Sequence, residues 1–186
     1  MKIVNIKQGN KKLIYELAKL HKLSLSNTVA TSLSTKNLAK LYELLIRIDY
    51  LYIIIAIDEN RNILGGLTYT FSNKKKKVTI IQLFAIVRII IFGFINKPIV
   101  FLVETYYKYR IYKNIDYEVN ILTLFVDENN QSSGIGRELL SYLKRDFKSN
   151  ISVDTRTNNK RGLNFYTKNG FKAVRSDSKN TVLKIH

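Results

Sequence analysis

The sequence predicts an α/β (α+β) chain, and three observations predict it. Apolar residues recur alternately at strand and helix periods along the chain, most regularly in its second half. A length of 186 residues with 8 Gly and 1 Pro suits one globular domain able to bury a full core. Finally, residues 124–140 join an apolar strand to an amphipathic helix through a polar loop that carries two close glycines, Gly134 and Gly136.

In order, residues 2–7 alternate as a short strand, and Gly9 with Asn10 marks a turn. A helix follows in which Leu13, Ile14, Leu17, Ala18 and Leu20 form an apolar stripe, closed by His21 as a surface residue compatible with the helix dipole. Residues 24–34 are Ser/Thr-rich and loop-like. Ser34 or Thr35 can cap a second helix, 36–48, with Leu38, Leu41, Leu44, Leu45 and Ile48 on one face. The continuous β-forming run 50–57, a polar turn and residues 63–71 make a hairpin, where Gly65 and Gly66 suggest a bulge or a close backbone approach.

Residues 78–103 are apolar almost throughout but carry Gln82, Arg88, Asn96, Lys97 and Pro98. They admit three readings: a membrane span, which Arg88 opposes, an interfacial contact beside Lys74 to Lys77, and a buried or partly covered helix ending before Pro98. A second helix from about 99 to 112 interleaves Tyr106, Tyr107, Tyr109 and Tyr112 with basic residues. Residues 116–126 read as a strand, with Glu118, Asn120, Leu122, Leu124 and Val126 on one face if it is regular. Helix 136–147, strand 151–155, helix 159–169 and a closing hairpin (171–174 with 181–185) complete the chain.

The charge of +17, from 31 Lys+Arg against 14 Asp+Glu, favours acidic partners without choosing among a phosphorylated cofactor, nucleic acid and an anionic membrane. No helix-turn-helix, RRM or zinc-finger frame is present, so nucleic acid is disfavoured. Zero cysteines exclude disulfides and thiol catalysis and fit a reducing compartment, and with 2 histidines no metal site is expected. The N-terminus lacks a long apolar stretch of the secretory kind, which gives a cytoplasmic expectation. Chemically, the two-glycine loop is an anion cradle: glycine permits positive φ and close approach, and a helix start offers unpaired N–H groups to an anion.

Three motifs then resemble the GNAT superfamily of acyl-CoA N-acetyltransferases. Gln131-Ser132-Ser133-Gly134-Ile135-Gly136 is similar to its Q/R-x-x-G-x-G/A loop. Asn159, with Gly162 where Ala is usual, is similar to its N-x-x-A, and the run from Phe165 to Phe171 to its F-Y-x-K-x-G-F. The resemblance implies one N-acetyltransferase domain over 1–186, a mixed central sheet with helices on both faces, and an apolar helical insertion at about 78–113. It also implies acetyl-CoA as cosubstrate, a primary amine as acceptor, and roles for particular residues. Backbone groups from Gln131, Ser132, Ser133, Gly134, Ile135, Gly136 and Arg137 would hold the pyrophosphate, and Leu124, Phe125 and Val126 the pantetheine arm, with the Val126 N–H on the thioester carbonyl. Asn159 would fix the arm by its amide. Tyr166 would protonate the departing thiolate.

Many relatives place a glutamate as general base where this chain has Asn120, which cannot take a proton; Glu118 is the nearby replacement, with Asp116 or a water chain as others. Residues 33–42 are similar to an early helix in bacterial GNAT proteins of surface-polysaccharide synthesis, so an amino sugar, nucleotide- or lipid-linked, leads as acceptor. A protein, peptide or small amine is the alternative, and a basic nucleic-acid or membrane-surface module the alternative of another class. Peripheral contact with an anionic membrane at the inner surface stays open, and a dimer is compatible with the sequence.

Overall fold

The structure, a computed structural model, describes residues 1–6, 9–25, 29–72, 110–147 and 150–185. The elements are β1 (Lys2–Asn5), α1 (Lys11–Ser24), α2 (Val29–Ser32), α3 (Thr35–Arg47), β2 (Tyr52–Ile57), β3 (Ile63–Phe71), β4 (Val119–Val126), α4 (Ile135–Asp146), β5 (Ile151–Arg156), α5 (Lys160–Lys168), β6 (Lys172–Ser176) and β7 (Asn180–Ile185). They form a mixed α/β fold around one 7-stranded sheet of order β1-β2-β3-β4-β5-β7-β6. Every neighbouring pair is antiparallel except β4 and β5, which α4 connects as a parallel crossover. The readings of 73–109, including the apolar 78–103 segment, lie outside the described residues; of the proposed insertion only its end, with Arg110 to Tyr112 helical, is described.

Alternation within strands builds two cores, one on each face of the sheet. Ile54 and Ala56 of β2 join Leu67, Ile121, Leu139, Leu140, Leu143, Tyr166 and Phe171 beneath α4 and α5. Ile53 and Ile55 face the other way, onto Leu17, Ala18, Leu38, Tyr42 and Phe125 beneath α1 and α3. A strand buried on both faces needs an unbroken apolar run, which is why 51–57 does not alternate in polarity. Leu17 and Leu139, both fully buried, each contribute about 2 kcal/mol of apolar transfer.

The two glycines of β3 meet both expectations placed on them. A side chain at Gly66 would stand 2.7 Å from the Leu17 Cδ1 atom, and one at Gly65 would stand 2.8 Å from the Phe125 carbonyl oxygen. Glycine at 66 lets α1 lie close on the sheet, and glycine at 65 lets β4 and α4 approach. A register shift between Ala56 and Ile57 faces this stretch from β2.

Several local expectations are adjusted by packing. Ser34 caps α3, its hydroxyl accepting from the Asn37 N–H at 3.2 Å, and α3 buries the expected Leu38 and Leu44 together with Ala39, Tyr42 and Ile46. The Ser/Thr-rich segment includes the single turn α2. His21 is buried instead of surface-exposed. Its Nδ1 pairs with the Tyr42 hydroxyl, its ring lies 4.9 Å from that of Phe125, and burial, helped by Lys22, lowers its pKa from 6.5 to about 4.

Among the described residues no helix is long and apolar enough to cross a membrane.

Candidate active site

The site begins where the sheet comes apart. β4 and β5 pair only through Val119–Ile121 against Ile151–Val153. Beyond that point β4 stays with β3 as far as Val126, while Asp154 to Arg156 of β5 stay with β7. A wedge therefore opens between two parallel strands, and beyond Ile121 and Val153 the two no longer pair with each other.

Which groups line the wedge follows from register. The Asp127 N–H donates to the Leu64 carbonyl at 2.9 Å, so antiparallel alternation turns Phe125 toward β3 and turns the N–H and C=O of Leu124 and Val126 toward the wedge. In agreement, the Val126 carbonyl accepts a 3.4 Å hydrogen bond from Gln131 Nε2 instead of from β3. The Phe125 side chain belongs to the α1/α3 core.

β4 is not the regular strand that period-two alternation assumes. A shift between Thr68 and Tyr69 leaves Leu122 as an extra residue, and a bulge of this kind exchanges the faces on either side of it. Val119, Ile121, Leu124 and Val126 consequently pack toward α4 and α5, whereas Leu122 packs on the other core. Asn120 is thereby separated from Leu124 and Val126. Glu118 precedes the strand in an exposed bend, and its N–H donates to the Asn150 carbonyl at 2.9 Å.

At the far end of β4 the chain folds into a short 3-10 turn, Glu128–Asn130, then Gln131 to Gly134, then α4. Ser132 and Gly134 have φ of 66° and 90°. At Gly134 this left-handed geometry falls on the N-cap, where glycine carries no steric penalty and offers no capping side chain. The N–H groups of Ile135, Gly136 and Arg137 at the helix start therefore have no side-chain cap, and Ser132, Ser133 and Gly134 are exposed beside them. A Cβ at Gly136 would lie 3.4 Å from Leu124 and 3.5 Å from the Phe165 ring, ordinary contact distances, so a small side chain would also fit between strand and α5. Arg161 of α5 reaches across the loop, donating to Gln131 Oε1 at 2.6 Å.

Asn159 is the N-cap of α5. Its Oδ1 accepts from the Gly162 N–H at 3.0 Å and its Nδ2 donates to Thr155 Oγ1 at 2.9 Å. A Cβ at Gly162 would stand 2.5 Å from that Nδ2, which accounts for glycine at this position. Tyr166, one helical turn beyond, is 7% exposed and packs its ring against Phe165 and Phe171. Burial pushes its phenol well above the ordinary value, and the charge of Asp154 adds to the shift. At neutral pH it is a proton donor.

Sequence reasoning overlooked a cluster across the sheet from Tyr166. Ile151 and Val153 face α4 and α5, so Ser152 and Asp154 face the opposite side with Asn120. There the Tyr112 hydroxyl lies 3.0 Å from Asn120 Oδ1 and 3.0 Å from Asp154 Oδ1, and Ser152 Oγ donates to Asn120 Oδ1 at 3.1 Å. Burial, then the Asp154 charge, raises the Tyr112 phenol. Arg175 fixes the turn that brings Tyr112 in, donating to the carbonyls of Ile111 and Lys113 at 3.2 and 2.6 Å. The only local sign was the alternation Ile151-Ser152-Val153-Asp154, which puts a carboxylate on the polar face of a strand end.

The family model described as "Acetyltransferase (GNAT) domain" matches residues 96–173. No curated protein matches the sequence. Among solved structures, the PaiA N-acetyltransferase of Thermoplasma acidophilum in complex with coenzyme A is 16% identical, with 100% of each chain covered and a TM-score of 0.58. An aminoglycoside 6'-acetyltransferase type Ii is 15% identical over 98% of this chain and 95% of its own, with a TM-score of 0.60. NAA60 of Arabidopsis thaliana in complex with a bisubstrate analogue is 12% identical over 98% and 96%, with a TM-score of 0.57. The chain has the GNAT acetyltransferase fold.

Proposed function

We propose that this protein transfers the acetyl group of acetyl-CoA to a primary amine. The observation that carries the reading is the β4/β5 wedge ending at the uncapped start of α4, with Tyr166 beside it. A fold alone does not specify a reaction; these residues and their backbone groups do. The N–H groups from Gln131 to Arg137 form a concave, positively polarised surface suited to a pyrophosphate. The wedge-facing backbone of Leu124 and Val126 offers strand-like pairing to an amide-bearing arm, and the Val126 N–H is placed to stabilise charge developing on a thioester oxygen. A raised Tyr166 phenol holds the proton that a leaving thiolate needs. Asn159 and Gly162 order α5 and so position Tyr166 and Arg161.

For the acceptor we propose an amino sugar, nucleotide- or lipid-linked, in surface-glycan synthesis. The similarity of residues 33–42 to an early helix of such proteins supports it, as does the aminoglycoside 6'-acetyltransferase among structures of this fold. Cytoplasmic residence follows from the same reading, and the +17 charge suits peripheral contact with an anionic inner membrane surface. Peptide amines are the second acceptor class, favoured by NAA60 in the comparison.

A thiol-release assay over an amino sugar, a peptide with a free N-terminus and a diamine tests the proposal, with acetyl-CoA binding followed by calorimetry. Binding together with release on at least one amine is expected. Neither binding nor release on any amine overturns it.

A further inference from the structure

We infer that Asp154 is the general base of the reaction and that Tyr112 is the residue that positions it and accommodates its proton. The inference rests on the acetyl-transfer reading above and assigns the one role that reading leaves empty.

Position is the first argument. Asp154 directly follows Val153, the last β5 residue paired with β4, so it stands at the apex of the wedge. Strand alternation puts it on the face opposite α5, whereas Tyr166 approaches from the α4/α5 face. The two are near enough for the Asp154 charge to reach the Tyr166 phenol. A thioester in the wedge would thus have a proton donor on one side and a carboxylate on the other. Glu118 lies outside this arrangement, before the first residue of β4, and the bulge at Leu122 removes the simple same-face relation between the strand's start and Val126.

Proton bookkeeping is the second. Tyr112 has one phenolic proton and two acceptor oxygens at 3.0 Å, on Asn120 and Asp154. While Asp154 is ionised, that proton serves the carboxylate. When Asp154 takes a proton, it can donate to the Tyr112 oxygen, and Tyr112 turns its own proton to Asn120. No heavy atom has to move between the two states, so the cluster accepts a proton with little reorganisation. Ser152, also bonded to Asn120, holds the amide in place.

In the step, the amine nitrogen bonds to the thioester carbonyl carbon as the carbon–sulfur bond breaks. The surplus N–H proton goes to an Asp154 oxygen, and the Tyr166 hydroxyl protonates the thiolate. Loss of the Asp154 proton to solvent and uptake of a proton from solvent by the Tyr166 phenolate restore both groups, so one amine and one acetyl thioester give one amide and one thiol.

The test compares Asp154→Asn and Tyr112→Phe with the unaltered protein, on the amine that turns over best. Asp154→Asn is expected to lower kcat about 100-fold or more while leaving the acetyl-CoA Kd within about twofold, a readout that a merely unfolded variant would fail. The deficit should shrink as pH rises and hydroxide replaces the missing base. Tyr112→Phe should lower kcat roughly tenfold at unchanged KM, and it carries the test if Asp154→Asn does not bind acetyl-CoA. Turnover by the unaltered protein with Asp154→Asn keeping its kcat and pH profile, or with the loss appearing in Glu118→Gln instead, overturns the assignment and leaves the acetyl-transfer reading standing. Absence of turnover by the unaltered protein on every amine overturns that reading and this one with it.

Discussion

The two faces of the sheet handle their polar groups in opposite ways. On the α4/α5 face the groups of the proposed site are mainly backbone N–H groups, set out by glycines and a helix start. Toward α1, α3 and the turn at Tyr112 they are side chains, His21 with Tyr42 and Tyr112 with Asn120, Ser152 and Asp154, buried or half-buried and bonded to partners 8 to 42 residues away. The difference has a physical root. An anion such as a pyrophosphate is well served by main-chain N–H groups, whereas an amine must surrender a proton and so requires a titratable side chain in a defined environment.

The largest expected effect breaks the backbone side of this contrast. Gly134→Glu places an L-residue at φ 90°, at a cost of about 1–2 kcal/mol, and points a carboxylate at an anion site. Acetyl-CoA affinity should fall about a thousandfold, or roughly 4 kcal/mol, in calorimetry. Gly134→Ala carries the same backbone strain but meets no atom within 4 Å and adds no charge, so it should lose less affinity. Equal losses in the two variants would show that conformation alone, and not charge, governs the loop.

On the opposite face the expected effect is on stability. His21 is depressed from 6.5 to about 4 because burial disfavours its charged form. Between those values the unfolded chain binds the proton that the folded chain refuses, so stability is complete above 6.5 and falls as pH drops toward 4. The full loss is on the order of 3 kcal/mol. Asp58 and Asp177 are also depressed, but from 3.8, so their contributions fade below this window. Urea unfolding at pH 7 and pH 4.5 should show the decline, and His21→Gln, which keeps a partner for Tyr42 but does not titrate, should flatten it. A decline of equal size in His21→Gln would assign it elsewhere.

These two cases also show how much the sequence disclosed. The loop and α4 were legible because a glycine at a helix start acts within four or five residues, inside the range of a spacing pattern. The α/β class and the positions of most strands and helices were legible because they follow from apolar periodicity, whereas the strand order β1-β2-β3-β4-β5-β7-β6 was not, since pairing between strands leaves no periodic sign. The burial of His21 was not, since it is decided by Tyr42 and Phe125, 21 and 104 positions away. Asp154 escaped for the same reason: its partner Tyr112 is 42 residues distant. The faces of β4 were misread because the bulge at Leu122 is a property of its pairing with β3, which no single strand encodes.

Tyr166→Phe tests whether the two faces meet in one reaction. The ring stays packed against Phe165 and Phe171, so stability should change by less than about 0.5 kcal/mol. Turnover should fall about 100-fold, the lower end for a lost general acid, with acetyl-CoA binding retained. An unchanged kcat would remove Tyr166 from the chemistry.

The smallest effect concerns Asn159, where the two modes touch, since a side chain here orders the helix that carries the proton donor. Both ends of its amide are committed within the fold, the oxygen to the Gly162 N–H and the nitrogen to Thr155. Replacement by alanine removes an N-cap and should cost about 1 kcal/mol, read as a lower melting temperature. If the amide serves only the cap, acetyl-CoA affinity should change less than about twofold, under 0.5 kcal/mol. A tenfold loss of affinity at unchanged stability would mean that Asn159 leaves Gly162 to grip the cosubstrate, moving a side chain onto the side where backbone groups dominate.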